Sequence, residues 1–319
     1  MPACEYTGML LSNPLYGAIE AGGTKIVCAA GYGPADIPDD CRVVIPTAAP
    51  GPTLAAVVEF FARITAKYGA LAAIGIAAFG PVDVDGRSAT WGRILATPKP
   101  GWSDVSVVAP LERFGCPIAI DTDVNAAALA EARIGAGAGL GSLAYVTVGT
   151  GIGGGAVVGD CTIKGLLHPE MGHIRVQRDP RDAEFPGVCP FHGDCLEGLA
   201  SGPAVVARWR THAENLPELH PGREILGGYL GQLAATIALL LSCERLVFGG
   251  GVVSGGQLLP YIRKSASRWL GGYLPVEARA GGFDRYITAP GLGDFAGTAG
   301  AFLLAGTTYT ARNRQARKR

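Results

Sequence analysis

The sequence predicts an α/β fold, with two domains and a cleft between them. The chain has 319 residues, enough for one large core or for two domains. Two patterns favour two domains. Each half opens with a pair of apolar strands joined by a glycine-rich turn. Each half then alternates between helical and strand patterns, as in largely parallel sheets covered by helices.

The first half contains five apolar runs that predict strands and two segments with a helical pattern. In the first helix we expect Thr53 to cap the start and Gly69 to end it. A second helix is predicted near Val105–Phe114. The predicted strands are Leu15–Glu20, Lys25–Ala30, Cys41–Thr47, Ala72–Phe79 and Pro117–Ile120.

The second half repeats this order after an alanine-rich helix that begins around Asp121–Asn125 and runs to about Ile134. We expect a first, smaller domain over residues 1–120, completed by the C-terminal helix at about 290–319. A larger domain covers residues 121–289. Its later elements are predicted as strand Ser142–Val148, glycine turn Gly149–Gly155, strand Ala156–Gly159, helix Arg223–Ser242, strand Arg245–Phe248, helix Gln257–Leu270, strand Tyr286–Ala289 and helix Phe295–Ala305.

Composition argues against several classes of protein. Apolar residues make up 48% of the chain and charged residues 17%, which is typical of a well-buried globular protein. The chain has 27 basic and 27 acidic residues, so no net charge favours nucleic acid or an anionic membrane. No apolar run reaches the length of a membrane span, and the first fifteen residues lack the features of a signal peptide.

The eight cysteines include several inside apolar runs, where a buried free thiol is the simplest interpretation. We therefore expect a reducing, cytoplasmic compartment. Residues 1–14 are predicted to be a loose leader. The basic tail Arg312–Arg319 is predicted to be a frayed, solvated end.

A cluster of soft ligands lies in the segment 168–198, which we interpret as a zinc-binding insert. One histidine is followed, sixteen residues later, by the pattern Cys-x-x-His-x-x-Cys. Tetrahedral zinc prefers nitrogen and sulfur ligands of this kind, and a closed set of four is usually structural. His168 and Asp194 are alternatives for one of the positions. The favoured ligands are His173, Cys189, His192 and Cys195.

Three carboxylates are candidates for catalysis or substrate binding. Asp123 lies at a boundary between strand and helix, where parallel sheets bind ligands, and could accept a proton from a substrate hydroxyl. Helix capping by Asp121, Thr122 or Asp123 is the alternative. Glu170 and Glu197 flank the zinc-binding insert, so a metal there would also fix two carboxylates at the rim of a polar site.

Glycine-rich turns provide candidate phosphate sites, because their exposed N–H groups can approach anionic oxygens. An ordinary hairpin turn is an equal alternative for the first of them, at residues 20–25. The second turn follows the strand Ser142–Val148 and leads into another strand, so it is neither a Walker loop nor a dinucleotide fingerprint. A third glycine run is a weaker candidate for contact with a nucleotide base, Gly249–Gly251.

Together these motifs resemble the ROK family of sugar kinases and repressors, in the actin-like ATPase superfamily, over about residues 16–306. Within the family the chain is most similar to bacterial zinc-containing fructokinases. The motifs, in order, are Glu20-Ala-Gly-Gly-Thr-Lys25, Gly80-Pro-Val-Asp83, Thr97-Pro-Lys-Pro-Gly-Trp102, Asp123-Val-Asn-Ala-Ala-Ala128, Thr147-Val-Gly-Thr-Gly-Ile-Gly-Gly-Gly155, His168-Pro-Glu-Met-Gly-His173, His192-Gly-Asp-Cys-Leu-Glu-Gly198, Leu199-Ala-Ser-Gly-Pro203 and Gly249-Gly-Gly-Val252.

The resemblance implies two actin-like (ribonuclease H-like) domains and an ATP-dependent transfer of phosphate to a hexose, with fructose giving fructose 6-phosphate. Asp123 would be the catalytic base, and structural zinc, Mg²⁺ with ATP and a homodimer are implied. The sugar would be bordered by Thr122, Glu170, His173 and Glu197. The nucleotide and its phosphates would contact Gly22, Gly23, Thr24, Lys25, Thr147, Gly149, Thr150, Gly151, Pro203, Gly249, Gly250 and Gly251.

Two departures from the family pattern, Glu20 in place of the usual Asp and His192 in place of a cysteine, are typical of the fructokinase branch. Glucose or mannose remain alternative substrates. A sugar-responsive regulator of the same family would need a DNA-binding module before the first strand, and about fourteen residues are too few for one. An actin-like ATPase without a sugar would not need the carboxylates and histidine of the predicted rim.

Overall fold

The computed structural model describes residues 13–316 and contains two five-stranded sheets. The strands of the first are β1 (Tyr16–Ala21), β2 (Lys25–Gly31), β3 (Arg42–Pro46), β4 (Ala73–Ala78) and β5 (Ile118–Thr122). Those of the second are β6 (Ser142–Val148), β7 (Ile152–Val158), β8 (Cys161–Thr162), β9 (Arg245–Gly249) and β10 (Ile287–Thr288).

The two sheets have the same topology. Their strand orders are β3-β2-β1-β4-β5 and β8-β7-β6-β9-β10. In each, the first three strands in the chain are antiparallel neighbours, the fourth pairs in parallel with the first, and the fifth pairs in parallel with the fourth. The α/β class and the structural repeat predicted from the sequence are therefore confirmed. The division into two domains stays a prediction, supported by a separate hydrophobic core beside each sheet.

Helices cover both sheets. Two of them, α2 and α9, lie between the sheets, since α2 contacts strands of both and α9 packs on β1, β4 and α2. Helix α5 forms much of the second core with α6. The helices are α1 (Pro50–Tyr68), α2 (Asp123–Ile134), α3 (Leu196–Ala200), α4 (Gly202–Trp209), α5 (Pro221–Leu241), α6 (Leu259–Leu270), α7 (Val276–Ala280), α8 (Phe283–Tyr286) and α9 (Ala296–Ala316).

Two glycines allow α9 to pack this closely. A Cβ on Gly75 of β4 would lie 1.9 Å from the carbonyl oxygen of Ala301 in α9. A Cβ on Gly300 of α9 would lie 2.0 Å from the carbonyl oxygen of Ala126 in α2. Any side chain at either position would separate α9 from its neighbours, so the central layer depends on these two residues.

Several predicted boundaries were wrong. Helix α1 begins at Pro50 rather than after Thr53, because proline suits the first turn of a helix. The segment predicted as a helix near Val105–Phe114 forms only a 3₁₀ turn, Ala109–Phe114. Strand β5 extends to Thr122, two residues past the predicted domain boundary. The glycine turn after β6 is short, and β7 begins at Ile152 rather than Ala156.

The two chain ends differ from the prediction in how far the helix at the C-terminus extends. Helix α9 extends to Ala316, so the first residues of the basic tail are helical rather than frayed. Residues 317–319 of that tail and residues 1–12 of the predicted leader lie outside the described residues, as does the N-terminal cysteine. The seven cysteines within the described range are free thiols.

Within the described residues, one helix is an exception to the prediction that no apolar run reaches the length of a membrane span. Helix α5, Pro221–Leu241, is long and apolar enough to cross a membrane by length and composition. In the fold, 61% of its most apolar window is buried inside the protein, where it forms the second core. A core helix meets the same criteria as a membrane span, so burial is the simpler explanation for its composition.

Candidate active site

Three polar residues lie at the start of α2, and two of them, Asp121 and Thr122, have structural hydrogen bonds. The side chain of Thr122 caps the helix, because its Oγ1 accepts a hydrogen bond from Asn125 N at 3.1 Å. Asp121 is fully buried at the end of β5 and accepts hydrogen bonds from Asn125 Nδ2 and from Thr162 Oγ1. Thr122 is thus the residue that caps α2. The contact of Thr122 with the sugar stays a prediction.

Within residues 13–316, the carboxylate of Asp123 has one hydrogen bond at the start of the helix, in which Oδ1 accepts the N–H of Val124 at 2.8 Å. Burial raises the pKa of Asp123 to about 7, and the nearby negative charges of Glu20 and Glu170 act in the same direction. A carboxyl group with a pKa near neutrality is suited to accept a proton from a hydroxyl. This fits the predicted role of Asp123 as a general base.

A cavity of about 380 Å³ lies beside Asp123. It is open to solvent on one side and runs from the start of α2 to the loop after β9. Both sheets contribute to its walls, so the cavity lies between the two halves of the chain. Of the residues predicted for the site, those that line it are Lys25, Asp123, Thr147, Gly249, Gly250 and Gly251.

Backbone geometry explains the glycines after β9. A Cβ on Gly249 would lie 2.6 Å from the hydroxyl oxygen of Tyr145. Gly250 has a φ of +88°, which favours glycine, and a Cβ there would also meet the backbone of Val148 at 2.5 Å. The loop backbone therefore forms a wall without side chains, as close approach of a flat ligand requires.

The other predicted phosphate contacts lie in two turns that do not line this cavity. The first turn, between β1 and β2, is closed by the N–H of Gly22 donating to the carbonyl of Lys25. The second, between β6 and β7, is closed by Gly149 and Gly151 and accepts the N–H of Gly202 at the start of α4. The remaining residues of the two turns, Gly23, Thr24 and Thr150, are exposed, as is Pro203 in the first turn of α4.

The four predicted metal ligands converge. Nδ1 of His173 lies 3.3 Å from Nδ1 of His192, 3.7 Å from Sγ of Cys189 and 3.5 Å from Sγ of Cys195. All four donor atoms lie within 4.8 Å of one another. Tetrahedral zinc with ordinary bond lengths places its ligand atoms about 3.3 to 3.8 Å apart. The donor set and its geometry therefore fit a four-coordinate zinc ion.

The two alternative ligands have other partners. Asp194 forms ion pairs with Arg175 and Arg178. His168 accepts a hydrogen bond from the backbone N–H of Val82 through its Nε2. Neither belongs to the cluster of possible ligands, so His173 is the fourth ligand that the geometry favours.

The metal cluster is connected to the two rim carboxylates. While Nδ1 of His173 faces the cluster, its Nε2 lies 4.0 Å from Glu170 Oε2 and 3.9 Å from Glu197 Oε1. Glu197 also accepts the N–H of Ile152, at the start of β7, at 2.9 Å. Burial raises the pKa of Glu170. A metal that fixed His173 would therefore fix a polar rim next to the second glycine turn.

Sequence reasoning missed three polar residues of the cavity, Tyr145, Ser254 and Asp294. Tyr145 lies within an apolar strand, where an aromatic residue usually belongs to the core, so no local signal distinguishes it. Asp294 follows the glycines that precede α9, and that spacing was a usable signal. Glu20 also lines the cavity, and its Oε2 accepts the hydroxyl of Thr298 in α9 at 2.6 Å.

Comparison with known proteins identifies the family. The model of the ROK family matches residues 16–308. The fructokinase of Zymomonas mobilis is 44% identical over 299 residues, which cover 91% of this chain and 96% of that protein. Among similar solved structures is the ROK hexokinase of Thermus thermophilus, with a TM-score of 0.75 and 27% identity, covering 93% of this chain and 99% of that one. Another is a ROK family glucokinase of Streptomyces griseus in complex with glucose and AMPPNP, with a TM-score of 0.70 and 28% identity, covering 92% of this chain and 99% of that one. With this match extending over nearly all of the described residues, the chain belongs to the ROK family.

Proposed function

We propose that this protein is an ATP-dependent fructokinase that transfers the γ-phosphoryl group of ATP to a hydroxyl of fructose, giving fructose 6-phosphate. The observation that carries the proposal is the position of Asp123. It lies in a cavity with Lys25 and the glycine wall, and its pKa responds to Glu170 of the rim. The sugar is thus proposed to bind on the rim side and the nucleotide on the glycine side.

In the proposed reaction, the hydroxyl oxygen of the sugar attacks the γ-phosphorus of ATP, and Asp123 accepts the proton of that hydroxyl. The bond from that phosphorus to the bridging oxygen breaks, and ADP leaves. Phosphoryl transfer depends mainly on positioning and charge, which Lys25 and the N–H groups of the glycine turns supply. Closure of the two halves over the cavity would exclude water, which competes with the sugar as acceptor.

Magnesium would enter with ATP and neutralise charge on its phosphates. The carboxylates of Glu20 and Asp294 line the cavity and would be oxygen ligands for the ion. Zinc would be structural and would orient His173 and, through it, Glu170 and Glu197.

Fructose is favoured over glucose by similarity. The protein named a fructokinase shares 44% of its residues with this chain, and the structure named a glucokinase shares 28%. Measurement of ADP release by a coupled assay across a panel of hexoses tests this choice. We expect kcat/KM to be at least about tenfold higher for fructose than for glucose or mannose. ADP release with none of the hexoses would contradict the kinase proposal, and a preference for glucose would contradict the choice of sugar.

The pH dependence of turnover provides a second test. Because Asp123 must be ionised to accept a proton, we expect kcat to fall as the pH is lowered through about 7, and to level off above it. The measurement is kcat at saturating fructose and ATP between about pH 6 and about pH 9. Excess coupling enzyme at each pH is the control. A rate that stays constant over this range would exclude a base with that pKa.

A cytoplasmic location and a homodimer are also part of the proposal. The free cysteines support a reducing compartment. Membership of the family supports the dimer.

A further inference from the structure

His168 is a buried residue to which neither the metal cluster nor the proposed reaction assigns a role. Its side chain is 4% exposed. Nε2 accepts a hydrogen bond from the backbone N–H of Val82 at 3.1 Å. Val82 follows β4 of the first sheet, whereas His168 follows β8 of the second. The ring therefore connects the two halves of the chain beside the rim.

The other ring nitrogen faces a rim carboxylate. Nδ1 of His168 lies 3.4 Å from Glu170 Oε1 and 3.5 Å from the carbonyl oxygen of Pro169. Because Nε2 accepts the N–H of Val82, a neutral ring carries its proton on Nδ1. The Nδ1–H of His168 thus lies between two acceptors, the carbonyl oxygen of Pro169 and one oxygen of Glu170, while Nε2 of His173 lies 4.0 Å from the other oxygen of Glu170.

The surroundings hold the ring and the carboxylate in this arrangement. A Cβ on Gly80 would lie 3.2 Å from Cε1 of His168 and 3.7 Å from Glu170 Oε1, so both groups pack directly on the Gly80 backbone. The side chain of Glu170 is itself 46% exposed. A half-exposed carboxylate has several rotamers, and a fixed donor on one oxygen selects among them.

We propose that His168 is a positioning residue for the sugar: its Nδ1–H donor holds the Glu170 carboxylate in its binding orientation, while the N–H of Val82 fixes that tautomer by donating to Nε2. The inference rests on the proposed function, since it takes Glu170 as a sugar contact. It adds that the orientation of the rim depends on a donor outside the metal cluster and not on the metal alone. Hydrogen bonds that act in catalysis are often long without substrate and shorten when it binds.

Two substitutions test the roles of the two ring nitrogens of His168 separately. In His168→Gln, the side-chain amide reaches the Nε2 position and can accept the N–H of Val82, but it leaves no donor near Glu170. In His168→Asn, the amide nitrogen takes the Nδ1 position and keeps that donor. We expect the KM for fructose to rise about fivefold to tenfold in His168→Gln and less than about twofold in His168→Asn. The KM for ATP is expected to be unchanged in both.

The measurements are KM and kcat for both substrates, together with zinc content and melting temperature as controls for the metal site and the fold. An unchanged fructose KM in His168→Gln overturns the inference, as does an equal rise in both variants. A loss of zinc in His168→Gln would assign the effect to the metal site and overturn it as well. If the unaltered protein phosphorylates no hexose, the proposed function fails, and the inference fails with it.

Discussion

Asp123→Asn is expected to lower kcat by about 10² to 10⁴-fold and to leave the fold intact. An amide cannot accept the proton of the sugar hydroxyl. The fold should survive because Thr122, and not Asp123, caps α2. The hydrogen bond from Val124 N to Asp123 Oδ1 is also one that the amide oxygen of asparagine can accept.

The test is kcat for fructose, with circular dichroism and melting temperature to verify the fold. Asp160→Asn is a matched control, because it removes an exposed carboxylate paired with Arg133 that lies away from the cavity. We expect this control to retain normal turnover. Turnover in Asp123→Asn within about threefold of the unaltered protein would rule out Asp123 as the base.

Cys195→Ser is expected to release zinc, to lower the melting temperature by about 5 °C or more and to raise the KM for fructose by about tenfold or more. The expected rise in KM follows because His173 belongs to the metal cluster and also lies next to the two rim carboxylates. Without a metal on Nδ1, the ring of His173 is no longer fixed, and its Nε2 no longer holds Glu170 and Glu197 in place.

Metal analysis of the unaltered protein should find about one zinc ion per chain. Cys161→Ser is the matched control, since Cys161 is an exposed thiol of β8 outside the cluster. Fully active protein without metal would contradict the zinc site. Loss of zinc with an unchanged fructose KM would show that the metal does not organise the rim.

Periodic patterns were enough to predict the framework of the fold. The hairpin at the start of each half, the alternation that follows and the topological repeat all depend on local sequence, and all were correct. The metal cluster was also predictable, because the spacing of soft ligands within one short segment restricts where they can lie.

The errors arose where tertiary contacts override local preference. Three consecutive glycines, Gly153–Gly155, were predicted as a turn but belong to β7. Glycine is required at these positions because other elements of the fold pack closely against the strand. A Cβ on Gly155 would lie 2.6 Å from the backbone of α2, and one on Gly154 would lie 2.5 Å from Sδ of Met171. The contact between His168 and Val82 joins distant segments, so no local pattern indicates it.

The position of α9 has a consequence for synthesis of the protein. This helix covers β1 and β4, and its Thr298 donates a hydrogen bond to Glu20, 278 residues earlier in the chain. A ribosome makes the first sheet early and its covering helix last. The apolar face of that sheet therefore lacks its native partner during most of translation, and the first half of the chain completes its folding only after the whole second half has been made.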